Sequence, residues 1–318
     1  MVIILDKIVE VLKEAKSIAV LPHISADGDS LGSSLALSIV LKNMGKEVLI
    51  YAEEDIPYIY NFLPGLDLVR VGTSSQHYDV IIALDTGDMG RLGTRGEMFS
   101  NNTPVTINVD HHNTNSKFAL YNYVESSSAA VGEIVYDMIG MLGESIDTDI
   151  ATCLYVAITT DTGGFRYSNT TVVTHKIAAD LINYGVNVAE VSQRVFETTS
   201  IEKVRLTGQV INSLQLLEDG KVALIEITDE MMMKAGAKDE DCDGVVNIGR
   251  NVKGVEVAVM LRQKSNGDIK VNLRSNSYVD VSAVAAKYSG GGHKRASGCI
   301  IKSENKESLI QDIIDRLN

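Results

Sequence analysis

The sequence predicts an α/β fold, with helices flanking a mostly parallel sheet, followed by a second, smaller α+β domain. In the first half of the chain, short aliphatic runs alternate with helical patterns, and three of these runs lead into loops that contain Asp or His. Beyond about residue 221, strand-like runs follow one another more closely. Aliphatic strands separated by helices are typical of a parallel sheet that is buried on both faces.

The first half supplies the elements of that sheet in order. Residues 1–17 have apolar positions at helical spacing and lack a basic leader with a cleavage site, so we expect a helix of the folded protein. A second helix is predicted at SLGSSLALSIVLKNMG, and strands are predicted at SIAVLP, KEVLIYA, DVIIALD and PVTINVD. Residues 127–190 are predicted to be helical, and residues 188–215 to form a more polar helical connection.

The second half predicts the smaller domain. Strands are expected at KVALIEIT, VEVAVMLRQ and DIKVNLRSN, with a hairpin turn at KSNGD. Helices are expected at DVSAVAAKYS and KESLIQDIIDRLN. The predicted domains are a larger first domain at 1–188, a helical linker at 189–216 and a smaller second domain at 217–318.

Composition excludes several classes of protein. With 45% apolar and 22% charged residues, the chain is a folded protein rather than a disordered one. No apolar run approaches the roughly 20 residues that cross a bilayer, so we expect no membrane partner and a cytoplasmic location. Three scattered cysteines argue against disulfides and a thiolate zinc site. The net charge of -13 disfavours stable binding of long nucleic acid.

The densest group of polar residues is the segment HISADGD, which follows the first predicted strand. His23, Asp27 and Asp29 lie in one loop between that strand and a helix. Imidazole with several carboxylates suits Mn²⁺, Fe²⁺ or Mg²⁺. The alternative is that both aspartates cap the following helix, which aspartate does well.

Two further strand ends carry candidate ligands. Asp85 ends the run DVIIALD, and Asp110, His111 and His112 end the run PVTINVD. A buried carboxylate is costly unless it is paired or bound to a metal, so we expect a shared cluster. The alternatives are buried acids that accept backbone hydrogen bonds at turns, with one histidine in the core and the other exposed.

A fourth acidic position is Asp161, at the end of an apolar helical run. Asp at a helix C-terminus is unfavourable because the macrodipole there is negative, and a bound cation would remove that cost. The alternative is a simple helix break, for which Gly163 and Gly164 would suffice.

The last motif is YSGGGHKRASG in the second domain. Its glycines allow close backbone approach to a ligand, and basic residues follow at once, which predicts an anion site rather than a plain solvated loop. Arg262 and Arg274 on neighbouring strands add positive charge. The candidate substrate-binding residues are Arg262, Arg274, Gly290, Gly291, Gly292, His293 and Lys294.

With these motifs in this order, the chain resembles the DHH phosphoesterase superfamily, whose name matches Asp110-His111-His112. It is most similar to the standalone branch of nanoRNase and adenosine 3',5'-bisphosphate phosphatase proteins. The resemblance covers nearly the whole chain, through HISADGDSLGS, ALDTGDMGRLG, VDHHNTN, TDTGGFRYSNT and GGGHKRASG.

This resemblance implies a site with two Mn²⁺ ions per chain. It assigns His23, Asp27 and Asp85 to one ion, and Asp29, Asp85, His111 and Asp161 to the other, with Asp85 bridging. It places His112 beside the reacting phosphoryl group and implies that Asp110 orients a neighbouring histidine. It also implies that the second domain binds the rest of the nucleotide across an interdomain cleft.

The activity implied is hydrolysis of short oligoribonucleotides and linear dinucleotides such as pApA and pGpG to mononucleotides, and of adenosine 3',5'-bisphosphate to AMP. A cyclic di-AMP phosphodiesterase is the alternative. An inorganic pyrophosphatase and a non-catalytic nucleotide-binding protein stay open as further alternatives. The partner is the short RNA or dinucleotide substrate, and a homodimer is one option for the assembly.

Overall fold

The computed structural model describes residues 2–101, 105–264 and 266–317. Its contacts divide the chain into two compact units, Met1–Thr198 and Thr199–Asn318. This division falls inside the segment 189–216 that is predicted to be a linker. The structure does not test the exact domain boundaries predicted at 188 and 217. No helix among the described residues is long and apolar enough to cross a membrane.

The first unit contains a six-stranded sheet in which every neighbouring pair is parallel, as the sequence predicts. The order across the sheet is β3-β2-β1-β4-β5-β6. Strands β2 and β3 are therefore added on one side of β1 and strands β4 to β6 on the other, so the strand order reverses between β1 and β4. The strands are β1 (Ser17–Leu21), β2 (Glu47–Ala52), β3 (Val69–Val71), β4 (Val80–Leu84), β5 (Val105–Asp110) and β6 (Tyr121–Val124).

Apolar residues cover both faces of this sheet, which explains the near-continuous aliphatic runs. Ile18, Val20 and Ile82 pack into the larger core, with residues of α1, α2, α4, α5 and α6. Ala19 and Ile81 point to the opposite face, into a smaller core beside α3. The helices are α1 (Val2–Glu14), α2 (Gly28–Asn43), α3 (Gly96–Asn101), α4 (Val131–Leu142), α5 (Thr148–Asp161), α6 (Val172–Asn183) and α7 (Val188–Ser192).

The connection after α6 differs from the continuous helical segment expected at 188–215. A π-helical turn at Gln193–Glu197 follows α7, and Thr198 is extended. Ser200 then caps a new helix, because its side chain accepts a hydrogen bond from the N–H of Lys203. The β-branched and hydroxyl residues of the TTS sequence favour this break over a continued helix.

The second unit is built on another six-stranded sheet, of order β11-β12-β10-β9-β8-β7. Its pairs are antiparallel except for β8 and β9. Helices pack on both faces, around two separate apolar clusters. The elements are α8 (Ile201–Ser213), β7 (Gln215–Leu217), β8 (Val222–Ile227), α9 (Asp229–Ala235), α10 (Val246–Arg250), β9 (Val257–Gln263), β10 (Asp268–Ser275), α11 (Val281–Lys287), β11 (Gly291–His293), β12 (Ala296–Lys302) and α12 (Lys306–Ile314).

A buried carboxylate closes the loop that follows β10. Glu256 is only 5% exposed, and its carboxylate accepts hydrogen bonds from Ser277, Tyr278 and Val279. Burial alone would raise the pKa of Glu256, but these hydrogen bonds outweigh burial and lower the pKa below its usual value of 4.5. The ionised side chain therefore stabilises this loop.

We predict that Glu256→Gln lowers the free energy of unfolding of the second unit by about 2 kcal/mol at neutral pH, because the amide presents N–H groups to N–H donors. Urea unfolding monitored by circular dichroism measures this. Since the folded-state pKa is lowered, the stabilisation is fully present above pH 4.5 and is lost as the pH falls through the folded-state pKa. The difference between wild type and variant should therefore shrink in acid.

Glu304→Gln is the matched control, because Glu304 is exposed in a short 3-10 turn. It makes the same chemical change on the surface of the same unit. Equal losses of stability in both variants, or a difference for Glu256→Gln that persists at acid pH, would contradict the role given to Glu256.

Candidate metal centre

The candidate site lies at the carboxyl edge of the parallel sheet, where β1, β4 and β5 are neighbours. His23 follows β1, Asp85 follows β4 directly, and Asp110 ends β5. In such sheets ligands bind outside the carboxyl ends of the strands, where the strand order reverses. The fold thus brings three loops that are far apart in sequence to one edge.

His23 faces two carboxylates through its Nε2 atom. Nε2 lies 3.6 Å from Asp27 Oδ1 and 3.5 Å from Asp85 Oδ2. The other ring nitrogen, Nδ1, lies 2.6 Å from the carbonyl oxygen of Ile24, which can only accept a hydrogen bond. Nδ1 therefore carries a proton, so Nε2 is the ring nitrogen that faces the cluster and that would offer its lone pair to a bound cation.

Asp27 and Asp29 interact with different helices. Asp27 caps α2, because its Oδ1 accepts a hydrogen bond from the N–H of Ser30 at 3.0 Å. Asp29 is fully buried and accepts from the N–H groups of Val131 at 2.7 Å and Gly132 at 2.9 Å, at the start of α4. The capping alternative thus describes Asp27, whereas Asp29 lies at the positive end of another helix dipole.

Asp85 lies at the centre of the cluster. Its Oδ2 faces His23, and its Oδ1 lies 3.5 Å from Nε2 of His111. That Oδ1 atom is buried and has no hydrogen-bond partner among the residues that the structure describes. The backbone of Asp85 has a φ of 56°, in the left-handed region that non-glycine residues rarely occupy and that is often found at functional sites.

A second group of ligand atoms surrounds His111. Its Nε2 lies 3.4 Å from Asp161 Oδ2 and 3.9 Å from Asp29 Oδ2. Its Nδ1 lies 3.1 Å from the carbonyl oxygen of Ser128, which orients the ring as Ile24 orients His23. Asp161 is the last residue of α5, where the helix dipole opposes a negative charge.

His112 is held differently from His111. Its Nδ1 donates to Asp110 Oδ1 at 2.8 Å, and Asp110 Oδ2 accepts from Asn115 Nδ2 at 2.6 Å. Asp110 is fully buried, while the side chain of His112 is 18% exposed. The sequence reasoning missed Asn115, although it lies five positions after Asp110 in the same motif.

The crowded carboxylates change the pKa values in this cluster. Burial and the charge of Asp85 raise the pKa of Asp29 well above its usual range. Burial, with the charges of Asp27 and Asp85, raises the pKa of Asp161 to about 7. The pKa of His23 is raised to about 10 although burial opposes this, because Asp27 and Asp85 lie beside the ring. The cluster therefore has an excess of negative charge that favours bound cations.

The donor atoms fit divalent cations. In each of two groups the ligand atoms lie within 4.8 Å of one another, and the groups are His23, Asp27, Asp85 and Asp29, His111, Asp161. All six predicted ligands thus fall into these groups. Imidazole and carboxylate donors suit hard and borderline divalent ions. The buried Asp85 Oδ1 atom, without a hydrogen-bond partner, is an additional donor facing the second group.

A buried arginine stabilises the strand ends beside the cluster, and no sequence pattern predicted this role. Arg95 is fully buried, and its Nη1 donates to the carbonyl oxygens of Pro22 at 2.8 Å and Tyr51 at 2.6 Å. Its Nε lies 3.2 Å from Glu53 Oε2. Since Pro22 precedes His23, Arg95 fixes the backbone from which His23 projects. A charged residue in a loop gives no local indication of burial.

The candidate substrate-binding arginines lie in the second unit. Arg262 is on β9, and its guanidinium lies 2.8 Å from Asp229 Oδ1 and 3.5 Å from Asp239 Oδ1. Its side chain is only 10% exposed. Arg274 is on β10 and is half-buried. The charge of Arg262 is therefore already compensated by carboxylates.

The glycine motif forms a short edge strand rather than a loop. A Cβ atom at Gly290 would lie 2.2 Å from the carbonyl oxygen of Gly298, and one at Gly292 would lie 2.5 Å from that of Ala296. Both glycines therefore permit close packing on β12. A Cβ at Gly291 would meet no atom within 4 Å. His293 is half-buried and Lys294 is exposed in the turn between β11 and β12.

Sequence comparison identifies both units. The model of the DHH family, N-terminal domain, matches residues 17–158, and that of the DHHA1 domain matches residues 219–318. A relative from Thermus thermophilus, named bifunctional oligoribonuclease and PAP phosphatase NrnA, is 34% identical, with 97% of this chain and 91% of the relative covered. A Bacillus subtilis relative of the same name is 27% identical, with 92% of this chain and 91% of the relative covered.

Solved structures agree in fold. An exopolyphosphatase-related protein from Bacteroides fragilis superposes with a TM-score of 0.90 at 26% identity, covering 99% of this chain and 96% of that one. RecJ from Thermus thermophilus in complex with Mn²⁺ has a TM-score of 0.57 at 12% identity, with 98% of this chain and 54% of RecJ covered. With both domain models matched and a relative 34% identical along nearly its whole length, this chain belongs to the DHH family of metal-dependent phosphoesterases.

Proposed function

We propose that this protein is a cytoplasmic Mn²⁺-dependent hydrolase of short oligoribonucleotides and linear dinucleotides, and of adenosine 3',5'-bisphosphate. The observation that carries the proposal is the pair of adjacent ligand groups around Asp85. The relatives named bifunctional oligoribonuclease and PAP phosphatase support the choice of substrates. A homodimer stays a prediction.

In this proposal one ion is held by His23, Asp27 and Asp85. The other would be held by Asp29, Asp85, His111 and Asp161, so that Asp85 would contribute to both. The distances from Asp85 Oδ2 to His23 and from Asp85 Oδ1 to His111, both 3.5 Å, support this division. When bound, a pair of divalent cations supplies Lewis-acid activation of water and neutralises charge on the phosphoryl group.

His112 is proposed to act on the phosphoryl group itself. Its partly exposed ring is fixed by the hydrogen bond from Nδ1 to Asp110, and Asn115 fixes Asp110 in turn. Burial lowers the pKa of His112, but the hydrogen bond to Asp110 and the charge of Asp85 outweigh burial and raise it, which favours the imidazolium. The imidazolium carries a second N–H at Nε2, which can donate a hydrogen bond to a phosphoryl oxygen without reorganising as charge develops. Asp110 is therefore a positioning residue and His112 a catalytic residue.

The second unit is proposed to bind the rest of the nucleotide through Arg262, Arg274, His293, Lys294 and the glycines of β11. Arg262 would have to exchange a carboxylate for a phosphate, since Asp229 and Asp239 hold it now. The net charge of -13 supports a preference for short substrates, because long strands bind through many phosphate contacts with basic residues.

We predict that Asp85→Asn removes Mn²⁺ from both positions, because the neutral amide is a poor ligand and each ion loses a shared donor. Metal content after gel filtration, measured by mass spectrometry, should fall from two ions per chain to less than one. Asp88→Asn is the matched control, since Asp88 is an exposed helix cap three residues further on. Two full equivalents of Mn²⁺ retained in Asp85→Asn would overturn the bridging role.

We predict that His112→Ala lowers kcat by about 10²–10³ while leaving the metal content nearly intact, since a donor to the transition state is lost but no ligand. His111→Ala should instead lose one of the two ions. Steady-state kinetics and metal analysis of both variants separate the two roles. If His112→Ala lost metal as His111→Ala does, or kept wild-type turnover, the assignment would be wrong.

The substrate choice is tested by a Mn²⁺-dependent hydrolysis panel. It compares pApA, pGpG, adenosine 3',5'-bisphosphate, RNA of graded length, cyclic di-AMP and pyrophosphate under identical conditions. We expect the linear dinucleotides and the bisphosphate to be hydrolysed fastest. Faster hydrolysis of cyclic di-AMP or of pyrophosphate would replace the proposed substrate class with that of the faster compound.

A further inference from the structure

Asn169 lies in the turn that follows α5, and its side chain binds two carbonyl groups that belong to different segments. Its Nδ2 atom lies 3.0 Å from the carbonyl oxygen of Asp161 and 3.0 Å from that of Ala129. Carbonyl oxygens only accept hydrogen bonds, so the NH₂ group of the amide, with its two donors, faces both of them. Asp161 ends α5, where carbonyls lack partners within the helix, and Asn169 supplies a donor there.

The carbonyl of Ala129 belongs to a segment that supports two of the candidate ligands. Ser128 orients His111 through its own carbonyl oxygen, and α4 begins two residues after Ala129. The first N–H groups of α4 hold the carboxylate of Asp29. The N–H of Ala129 is fixed as well, because it donates to Glu133 Oε2 at 2.9 Å. A shift of this segment would therefore move the supports of both ligands.

The amide of Asn169 is held through its donors alone. Its Oδ1 atom is buried and has no hydrogen-bond partner among the residues that the structure describes. A buried acceptor without a partner is unfavourable, and a local cost of this kind is typical of a functional site. The two hydrogen bonds from Nδ2 are the contacts that offset this cost.

These hydrogen bonds oppose the repulsion between two carboxylates. The two ligand groups are the first, His23, Asp27 and Asp85, and the second, Asp29, His111 and Asp161. In the second group, Asp161 Oδ2 lies 3.4 Å and Asp29 Oδ2 lies 3.9 Å from Nε2 of His111. Ionised carboxylates this close repel each other, which would separate the end of α5 from the start of α4. A ligand group that is already held together binds a cation more tightly, because less ordering is needed.

We propose that Asn169 is a positioning residue for the cation of the second ligand group, because it ties Asp161 to the segment that supports Asp29 and His111. Neither carbonyl that Asn169 binds belongs to the first ligand group, so the affinity of that group should change little. This inference rests on the proposed function, because it names a residue that sets the affinity for one of the two proposed ions.

The test measures Mn²⁺ affinity by calorimetric titration in two backgrounds that each keep one ligand group. His23→Ala keeps the second group, and His111→Ala keeps the first. Adding Asn169→Ala to His23→Ala should raise the dissociation constant of the remaining ion by about tenfold or more, as fits the loss of two hydrogen bonds. Adding it to His111→Ala should change the constant by less than about twofold, as expected of independent sites.

Asn276→Ala is the matched control, because Nδ2 of Asn276 bridges the carbonyl oxygens of Arg250 and Val255 in the second unit, both at 2.8 Å. It removes the same kind of double hydrogen bond and should change neither constant. Asn169→Ser takes the place of Asn169→Ala if that variant does not fold. Its hydroxyl donates only one hydrogen bond, so it should give a smaller loss of affinity, again only in the His23→Ala background.

An unchanged dissociation constant in the His23→Ala background, or equal losses of affinity in both backgrounds, would overturn the inference alone. An equal loss in Asn276→Ala would do the same, because the effect would then be one of general stability. Wild type that binds fewer than two Mn²⁺ ions per chain would overturn the proposed function, and the inference with it.

Discussion

The carboxylates gathered at one buried edge of the parallel sheet repel one another, and this repulsion constrains the whole candidate site. Asp29 and Asp85 are almost fully buried, and Asp27 and Asp161 lie within reach of the same two histidines. An ionised carboxylate away from water costs several kcal/mol unless a positive charge compensates it. Burial and the charge of Asp85 raise the pKa of Asp29, and burial with the charges of Asp27 and Asp85 raises that of Asp161. Burial opposes ionisation of Asp27 and Asp85 as well, but the neighbouring histidines outweigh it and lower the pKa of both. Divalent cations satisfy the same demand with the donors already in place.

The backbone, more than side-chain packing, sets the positions of these donors. Backbone carbonyls of Ile24 and Ser128 orient the two histidines, and the first N–H groups of α4 hold Asp29. Asp85 reaches both groups from a left-handed turn directly after β4. Ligands fixed to strand ends and helix ends move little, and such rigid support keeps a metal site in its working geometry.

The fold class could be predicted from the sequence because the strands of a doubly covered sheet are continuous aliphatic runs. Strands β3 and β6 gave no such signal, since Val69–Val71 is very short and Tyr121–Val124 alternates with a polar residue. The edge strand β11 was hidden in the glycine motif, whose conformation depends on packing against β12. The helix expected at 188–215 is interrupted at a cap, Ser200, that periodicity alone does not reveal.

The candidate ligands could also be named in advance, because each lies at the end of a predicted strand or helix. Their partners could not. Arg95, Asn115 and Glu256 acquire their roles from contacts with segments remote in sequence or from a turn whose shape only the fold defines. Likewise, the two carboxylates that pair with Arg262 come from α9 and from the turn after it. The sequence showed the positive charge of Arg262, but it did not show that these carboxylates neutralise that charge.

The most direct test of a site for two ions that share Asp85 is electron paramagnetic resonance of the wild-type chain titrated with Mn²⁺. Two ligand groups that share Asp85 should bind two ions per chain close enough for their spins to couple. We therefore expect a six-line signal of isolated Mn²⁺ that is replaced, as the second equivalent binds, by the broad spectrum of an exchange-coupled pair. Saturation at one ion per chain, or two bound ions without spin coupling, would contradict this expectation.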